Sequence, residues 1–241
     1  MQKLNTFLQN FKKTLRQNLF PERFACHICG VEIFEGDLCA DCLKTVVFND
    51  GASCPVCGRR TNKSEVCLEC KAHMPAYKKA VSALSYDGGG GELVVRFKNG
   101  SPYLSRYLAE LIAGKLKDLP GFDGIVFVPM TAKDERSRGY NQSRLLAEEL
   151  SVLCGAPVIS GAVEKIKDTP GQKELPRAER LRNLNGCFKV DKSAVKGKTV
   201  LIVDDVMTTG ATLDSLAAAL KKAGAKEVFA ACTASVEYAV I

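Results

Sequence analysis

The chain has 241 residues, 46% of them apolar, and carries 34 basic and 27 acidic side chains for a formal net charge of +7. That is enough apolar material for a core in one large domain or two smaller ones. No stretch approaches the roughly 18–20 apolar residues of a membrane span, so no integral membrane segment is expected.

The first twenty residues, MQKLNTFLQNFKKTLRQNLF, are polar throughout and do not form a secretory signal. Leu4, Phe7, Leu8, Phe11, Leu15 and Leu19 recur at helical spacing, with Lys12, Lys13 and Arg16 elsewhere on the wheel. Residues 1–20 are therefore expected as an amphipathic helix. Docking on the protein itself or on a partner is the favoured use of such a helix, and a peripheral place on a membrane is the alternative. The expected location is the cytoplasm.

The chain contains 11 cysteines, but without a secretion signal they do not suggest a disulfide scaffold. Eight are organised as Cys26-x-x-Cys29, Cys39-x-x-Cys42, Cys54-x-x-Cys57 and Cys67-x-x-Cys70. The second four repeat the first at an offset of 28 residues, and Gly58 repeats Gly30, which indicates an internal duplication. Each unit has the ligand count and knuckle spacing of a structural zinc site with no position open to water. Residues 21–76 are thus expected as a double zinc ribbon holding two Zn²⁺. Sequential units are favoured over interleaved ones, and disulfides or an iron–sulfur cluster are minor alternatives. Cys154, Cys187 and Cys232 fall outside the pattern and are expected as small core residues. His27 and His73 are expected as bystanders.

Residues 77–241 read as a second domain. AVSALSY is an expected strand and DGGGG a turn, because no Lys-Ser/Thr follows the glycines as a phosphate loop would require. SPYLSRYLAELIAGKLKDL is an amphipathic helix, GIVFVPM a buried strand, and RGYNQSRLLAEELSVLCG a loop entering a helix. GAPVISGAV, KTVLIVDD and AKEVFAACTAS supply three more strands. This alternation predicts βαβ units and a largely parallel sheet. The segment KIKDTPGQKELPRAERLRNLNGCFKV has no sustained apolar period. It is either a solvated surface loop or an active-site lid.

Within KTVLIVDD, four apolar residues run into Asp204-Asp205, and Thr208-Thr209-Gly210-Ala211-Thr212 follow before a helical rhythm at Leu213, Leu216, Ala217 and Leu220. The acids are placed where a buried strand emerges, the edge of an open α/β sheet at which ligands bind. The small hydroxylated loop opens onto a helix N-terminus, which favours an anion. An anion cradle beside two carboxylates suits a sugar phosphate. A plain strand-end cap is the competing reading. A phosphorylation receiver domain is excluded, because only 36 residues remain after Asp205.

This stretch resembles the phosphoribosyl-pyrophosphate (PRPP) signature of type I phosphoribosyltransferases. The resemblance implies that Asp204 and Asp205 meet the ribose 2′- and 3′-hydroxyls, and that Thr208, Thr209, Gly210, Ala211 and Thr212 hold the 5′-phosphate. Taken with LFPxxxxCxxC, SYDG…FKNG, VPM…RSRGYNQSRLLAEEL and DTPGQKEL…ERLRNLNGCF, the whole chain resembles the ComF family of competence proteins and their GntX relatives. That resemblance implies an α/β fold, with a type I phosphoribosyltransferase-like, mostly parallel sheet and flanking helices behind the double zinc ribbon. It implies Mg²⁺ bound with PRPP. It places Arg138, Gly139, Asn141 and Gln142 near the diphosphate, and Thr169, Gln172, Leu175, Arg180, Asn183 and Phe188 in a hood over the site. Arg180 joins Asp204 and Asp205 as an expected catalytic residue. Where the family often has a histidine, this chain reads Pro129-Met130-Thr131.

Two zinc tetrathiolates would lower the formal charge of residues 1–76 from +2 to −2, leaving the excess of +5 in residues 77–241. That excess suits an anionic substrate or nucleic acid equally. The resemblance implies two functions. One is a phosphoribosyltransferase acting on PRPP and an unidentified nitrogen acceptor. The other is an accessory module in competence that works with a DNA translocase and single-stranded DNA.

Overall fold

The computed structural model describes residues 25–167 and 186–237. The helix expected over 1–20 and the segment 168–185, with Thr169, Gln172, Leu175, Arg180 and Asn183, lie outside them. By compactness the chain forms one unit over Met1–Thr45 and another over Val46–Ile241. The division falls inside the cysteine-rich region, which was expected to extend as a whole to residue 76. The second cysteine unit therefore shares a compact body with the sheet.

The first unit is a knuckle closed by an Ala25–Glu32 bridge and followed by the short helix Ala40–Thr45. Cys26 N–H donates to Val31 O, and Gly30 N–H returns to Cys26 O. Its second copy repeats this 28 residues on. Ser53 bridges Arg60, Cys54 N–H donates to Arg59 O, Gly58 N–H returns to Cys54 O, and helix Leu68–Ala72 follows.

The larger unit is built on five strands: β1 (Val46–Phe48), β2 (Lys79–Gly88), β3 (Gly124–Phe127), β6 (Thr199–Met207) and β7 (Glu227–Ser235). Their spatial order is β1-β2-β7-β6-β3, all parallel except the β1–β2 pair. The apolar runs of β6 and β7 are buried on both faces, as central parallel strands require. Val200, Ile202, Val228, Ala230 and Cys232 pack with Leu213, Leu216 and Leu220 of helix Ala211–Lys222. Leu201, Val203, Phe229 and Ala231 alternate to the opposite face. Each large side chain buried in this way contributes about 1.5–3 kcal/mol.

Two expected elements differ. The DGGGG stretch is not a free turn: Asp87 and Gly88 end β2, and the last three glycines start helix Gly89–Lys98. A Cβ on Gly90 would lie 2.1 Å from Ser85 O, and one on Gly91 would lie 2.3 Å from Tyr86 O. The glycines let this helix fold directly back on β2. GAPVISGAV is reduced to a single parallel bridge, Ile125–Val158, at the sheet edge, followed by β4 (Val163–Lys165). β4 pairs antiparallel with β5 (Phe188–Val190), forming a two-stranded ribbon at the base of the expected hood. Phe188 is buried in the core there.

Candidate functional site

β6 runs four residues beyond its pairing with β3. The β3–β6 register ends at Phe127 and Val203, while β6 continues alongside β7 to Met207. The acidic pair therefore lies within the strand rather than after it. Asp204 and Asp205 are each only 9% exposed.

Both acids are held by motifs remote in sequence. Ser143 Oγ donates to Asp204 Oδ1 at 2.8 Å, and the Asp205 N–H donates to the same oxygen at 2.9 Å. Lys98 Nζ lies 3.2 Å from Asp205 Oδ2. Burial, then the charge of Asp205, raises the Asp204 pKa to about 7, while the bonds from Ser143 and the Asp205 backbone and the charge of Lys98 pull it down.

The segment RGYNQS sets these contacts. Gly139 is in the left-handed conformation at φ 88°, ending helix Ala132–Arg138. Asn141 then caps helix Gln142–Cys154, accepting from Arg144 N–H while its amide donates to Val128 O at 3.2 Å. This cap ties the helix to the end of β3 and brings Ser143, in the first turn, onto Asp204. Arg138 donates to Gln142 Oε1 at 3.0 Å. The Tyr140 hydroxyl donates to Phe97 O and accepts from Gly100 N–H at 3.2 Å. Those residues flank Lys98, so Tyr140 holds the FKNG turn where the lysine meets Asp205. Thr131, at the position where the family often has histidine, caps helix Ala132–Arg138 by accepting from Asp134 N–H.

Beyond the acids, Thr208, Thr209 and Gly210 turn the chain into helix Ala211–Lys222. Gly210 adopts φ 80° and is the N-cap, so the cap residue itself brings no side chain to the helix terminus. Thr209 Oγ1 accepts from Ala211 N–H at 3.3 Å. Acids, loop and helix terminus thus form one continuous edge. Gln172 and Arg180 belong to the segment outside the described residues. Sequence reasoning missed Lys98, Ser143 and Tyr140 as site-forming residues, although FKNG and RGYNQS were both noted.

The eight paired cysteines assemble sequentially, as Cys26, Cys29, Cys39 and Cys42, and as Cys54, Cys57, Cys67 and Cys70. In each group all sulfurs lie within 4.8 Å of one another. The Cys29–Cys39 and Cys57–Cys67 separations are 3.8 and 3.7 Å. A tetrahedron with Zn–S bonds of about 2.3 Å has edges of roughly 3.8 Å, so both groups fit zinc.

Parallel sheet, acidic pair and glycine-containing helix entry define a phosphoribosyltransferase domain, here behind paired four-cysteine sites. Residues 138–237 match the phosphoribosyl transferase domain family, and residues 15–71 match the double zinc ribbon domain. Competence protein F of Haemophilus influenzae is 32% identical over 165 residues, covering 64% of this chain and 71% of that protein. The chain belongs to the ComF family. DNA utilization protein YhgH of Salmonella typhi is 36% identical over 131 residues, covering 54% of this chain and 57% of that protein. The solved glutamine PRPP amidotransferase from B. subtilis is similar over 53% of this chain and 25% of its own, with 22% identity and a TM-score of 0.38.

Proposed function

We propose that this chain binds Mg²⁺–PRPP and transfers the phosphoribosyl group to a nitrogen acceptor, in the service of DNA uptake. The acceptor nitrogen forms a bond to the ribose C1 as the bond to diphosphate breaks, and diphosphate leaves with the electron pair. The observation that carries the reading is the Asp204–Asp205 pair, held by Ser143 and Lys98 one short loop before a helix entry whose N-cap is glycine.

Asp204 and Asp205 accept from the ribose hydroxyls, and residues 208–212 hold the 5′-phosphate through backbone N–H groups and threonine hydroxyls. Lys98 offsets the like charges of the two acids. Arg138 and Gly139 are assigned to the diphosphate side, with Asn141 fixing the helix that carries Ser143. Arg180 and Gln172 are assigned to the hood, which shields the oxocarbenium-like centre from water and offers charge to the leaving group. Hard carboxylate oxygens suit Mg²⁺, whose role when bound is to neutralise diphosphate charge. The chain's own contribution is positioning and electrostatic stabilisation.

A screen for diphosphate release from PRPP with purine, pyrimidine and amine acceptors tests transfer. One acceptor that drives release well above the acceptor-free rate supports it, and no release with any of them counts against it. The names of the relatives, which refer to competence and DNA utilization, favour a second reading. In it the domain is a non-catalytic PRPP-binding module that works with a DNA translocase and single-stranded DNA. Binding of single-stranded DNA that weakens steeply with salt, without diphosphate release, supports that reading.

A further inference from the structure

The two cysteine units are copies, and their differences show what the second has acquired. At the position after the knuckle glycine, the first unit has Val31, 52% exposed, and the second has Arg59, 3% exposed. A Cβ on Gly30 would meet nothing within 4 Å, whereas one on Gly58 would lie 2.5 Å from Ala80 O of β2. Val56 O, in the same knuckle, accepts from Ala80 N–H at 2.7 Å. The second knuckle is therefore seated against the sheet backbone.

From that seat Arg59 reaches the loop that follows Asp205. One terminal nitrogen donates to Thr208 O, and the other lies 3.8 Å from Cys57 Sγ. A Cβ on Gly210 would be 3.6 Å from Arg59 Nη2 and 3.6 Å from the Tyr77 hydroxyl. A second link lies one turn further on. Asp214, in the first turn of helix Ala211–Lys222, accepts from Ala76 N–H at 2.8 Å and meets His73 Nε2 at 2.7 Å. His73 and Ala76 lie three and six residues after Cys70, the last cysteine of this unit.

We propose that Arg59 is a positioning residue for the 5′-phosphate loop, and that the second metal site holds it in that role. This rests on the assignment of residues 208–212 to a phosphate. A backbone carbonyl turned toward an anion repels it, so tying Thr208 O to a guanidinium keeps that dipole away from the ligand. The guanidinium also places a positive charge between a Zn(Cys)₄ centre of formal charge −2 and the phosphate site, where low exposure leaves the charges poorly screened. Zinc in the second unit, and not in the first, is thereby linked to phosphate affinity, and linkage makes the effect reciprocal.

Calorimetric titration with ribose 5-phosphate and, separately, with Mg²⁺–diphosphate provides the test, using zinc-replete wild type, Arg59→Met and Arg59→Lys. The inference predicts about tenfold weaker ribose 5-phosphate binding by Arg59→Met, partial recovery in Arg59→Lys, and unchanged diphosphate binding. Unchanged ribose 5-phosphate affinity in Arg59→Met overturns it, as does equal weakening toward both ligands. If wild type does not bind ribose 5-phosphate, the phosphate-loop assignment itself fails, and this inference with it. Should Arg59→Met fail to fold, chelator-driven zinc release from wild type decides the matter. Ribose 5-phosphate should slow loss of one of the two zinc equivalents, and identical release with and without it overturns the proposal.

Discussion

Lys98 Nζ and Asp205 Oδ2 lie 3.2 Å apart, and the lysine reaches this carboxylate from the end of a helix that begins with three glycines. The pairing depends on the Tyr140 hydroxyl, which braces the turn after Phe97 from the RGYNQ segment. Two motifs more than forty residues apart thus act as one device that makes a doubly acidic strand end tolerable in a largely buried place.

Lys98→Met should lower thermal stability, because it leaves two neighbouring carboxylates without their nearest cation. The loss should shrink by about 1 kcal/mol when Asp205→Asn is already present, since the partner charge is then gone. A double-mutant cycle by denaturant unfolding reads this directly. Additive effects would show that the ion pair contributes nothing.

Asp204 carries a sharper pH signature. Its folded-state pKa is about 7 against an ordinary value of 3.8, so between these values the folded state binds more protons than the unfolded one. Stability from this group is therefore fully present below its ordinary range and is lost as pH rises toward 7. Melting temperatures of the ligand-free protein, measured across this window, should fall more steeply for wild type than for Asp204→Asn. Affinity for Mg²⁺–PRPP should move the opposite way and rise with pH, since the ionised carboxylate is the form that accepts from ribose hydroxyls.

Much of this was legible in the sequence because the signals are local. The strand into Asp204-Asp205, the loop to Thr212 and each of the two four-cysteine units are carried by fewer than twenty consecutive residues. What escaped is contact between distant segments. Nothing in FKNG says that Lys98 meets Asp205, and nothing in a zinc knuckle says that Arg59 meets Thr208. His73 looked like a bystander because its partner, Asp214, lies 141 residues away. The glycine run was misread for a related reason. Glycine disfavours helices in isolation, and only the approach of Ser85 O and Tyr86 O shows why a helix must begin with it.

Metal analysis of protein purified without added zinc should return about two equivalents per chain, from the two four-cysteine groups. The two sites should differ in consequence. Cys26→Ser is expected to lose one equivalent and leave ribose 5-phosphate affinity unchanged, because its unit is compact by itself. Cys54→Ser should also lower the melting temperature of the phosphoribosyltransferase domain, since the second unit hydrogen-bonds β2 and helix Ala211–Lys222. Equal effects of the two substitutions on the domain would contradict this asymmetry.

Thr209→Val removes one hydroxyl from the phosphate loop and should weaken PRPP and ribose 5-phosphate alike, by about 1–2 kcal/mol for a bond to a charged group. Loss of PRPP affinity alone would place the hydroxyl elsewhere on the ligand.

The central claim is that Asp204 and Asp205 hold ribose beside a phosphate loop. It is tested most directly by titrating wild type and the Asp204→Asn, Asp205→Asn double variant with Mg²⁺–PRPP and with sulfate. The double variant keeps shape but removes two negative charges. It should lose most of its Mg²⁺–PRPP affinity while binding sulfate as well as wild type or better, because carboxylates near an anion site repel the anion. Mg²⁺–PRPP affinity that survives the loss of both carboxylates would contradict the account.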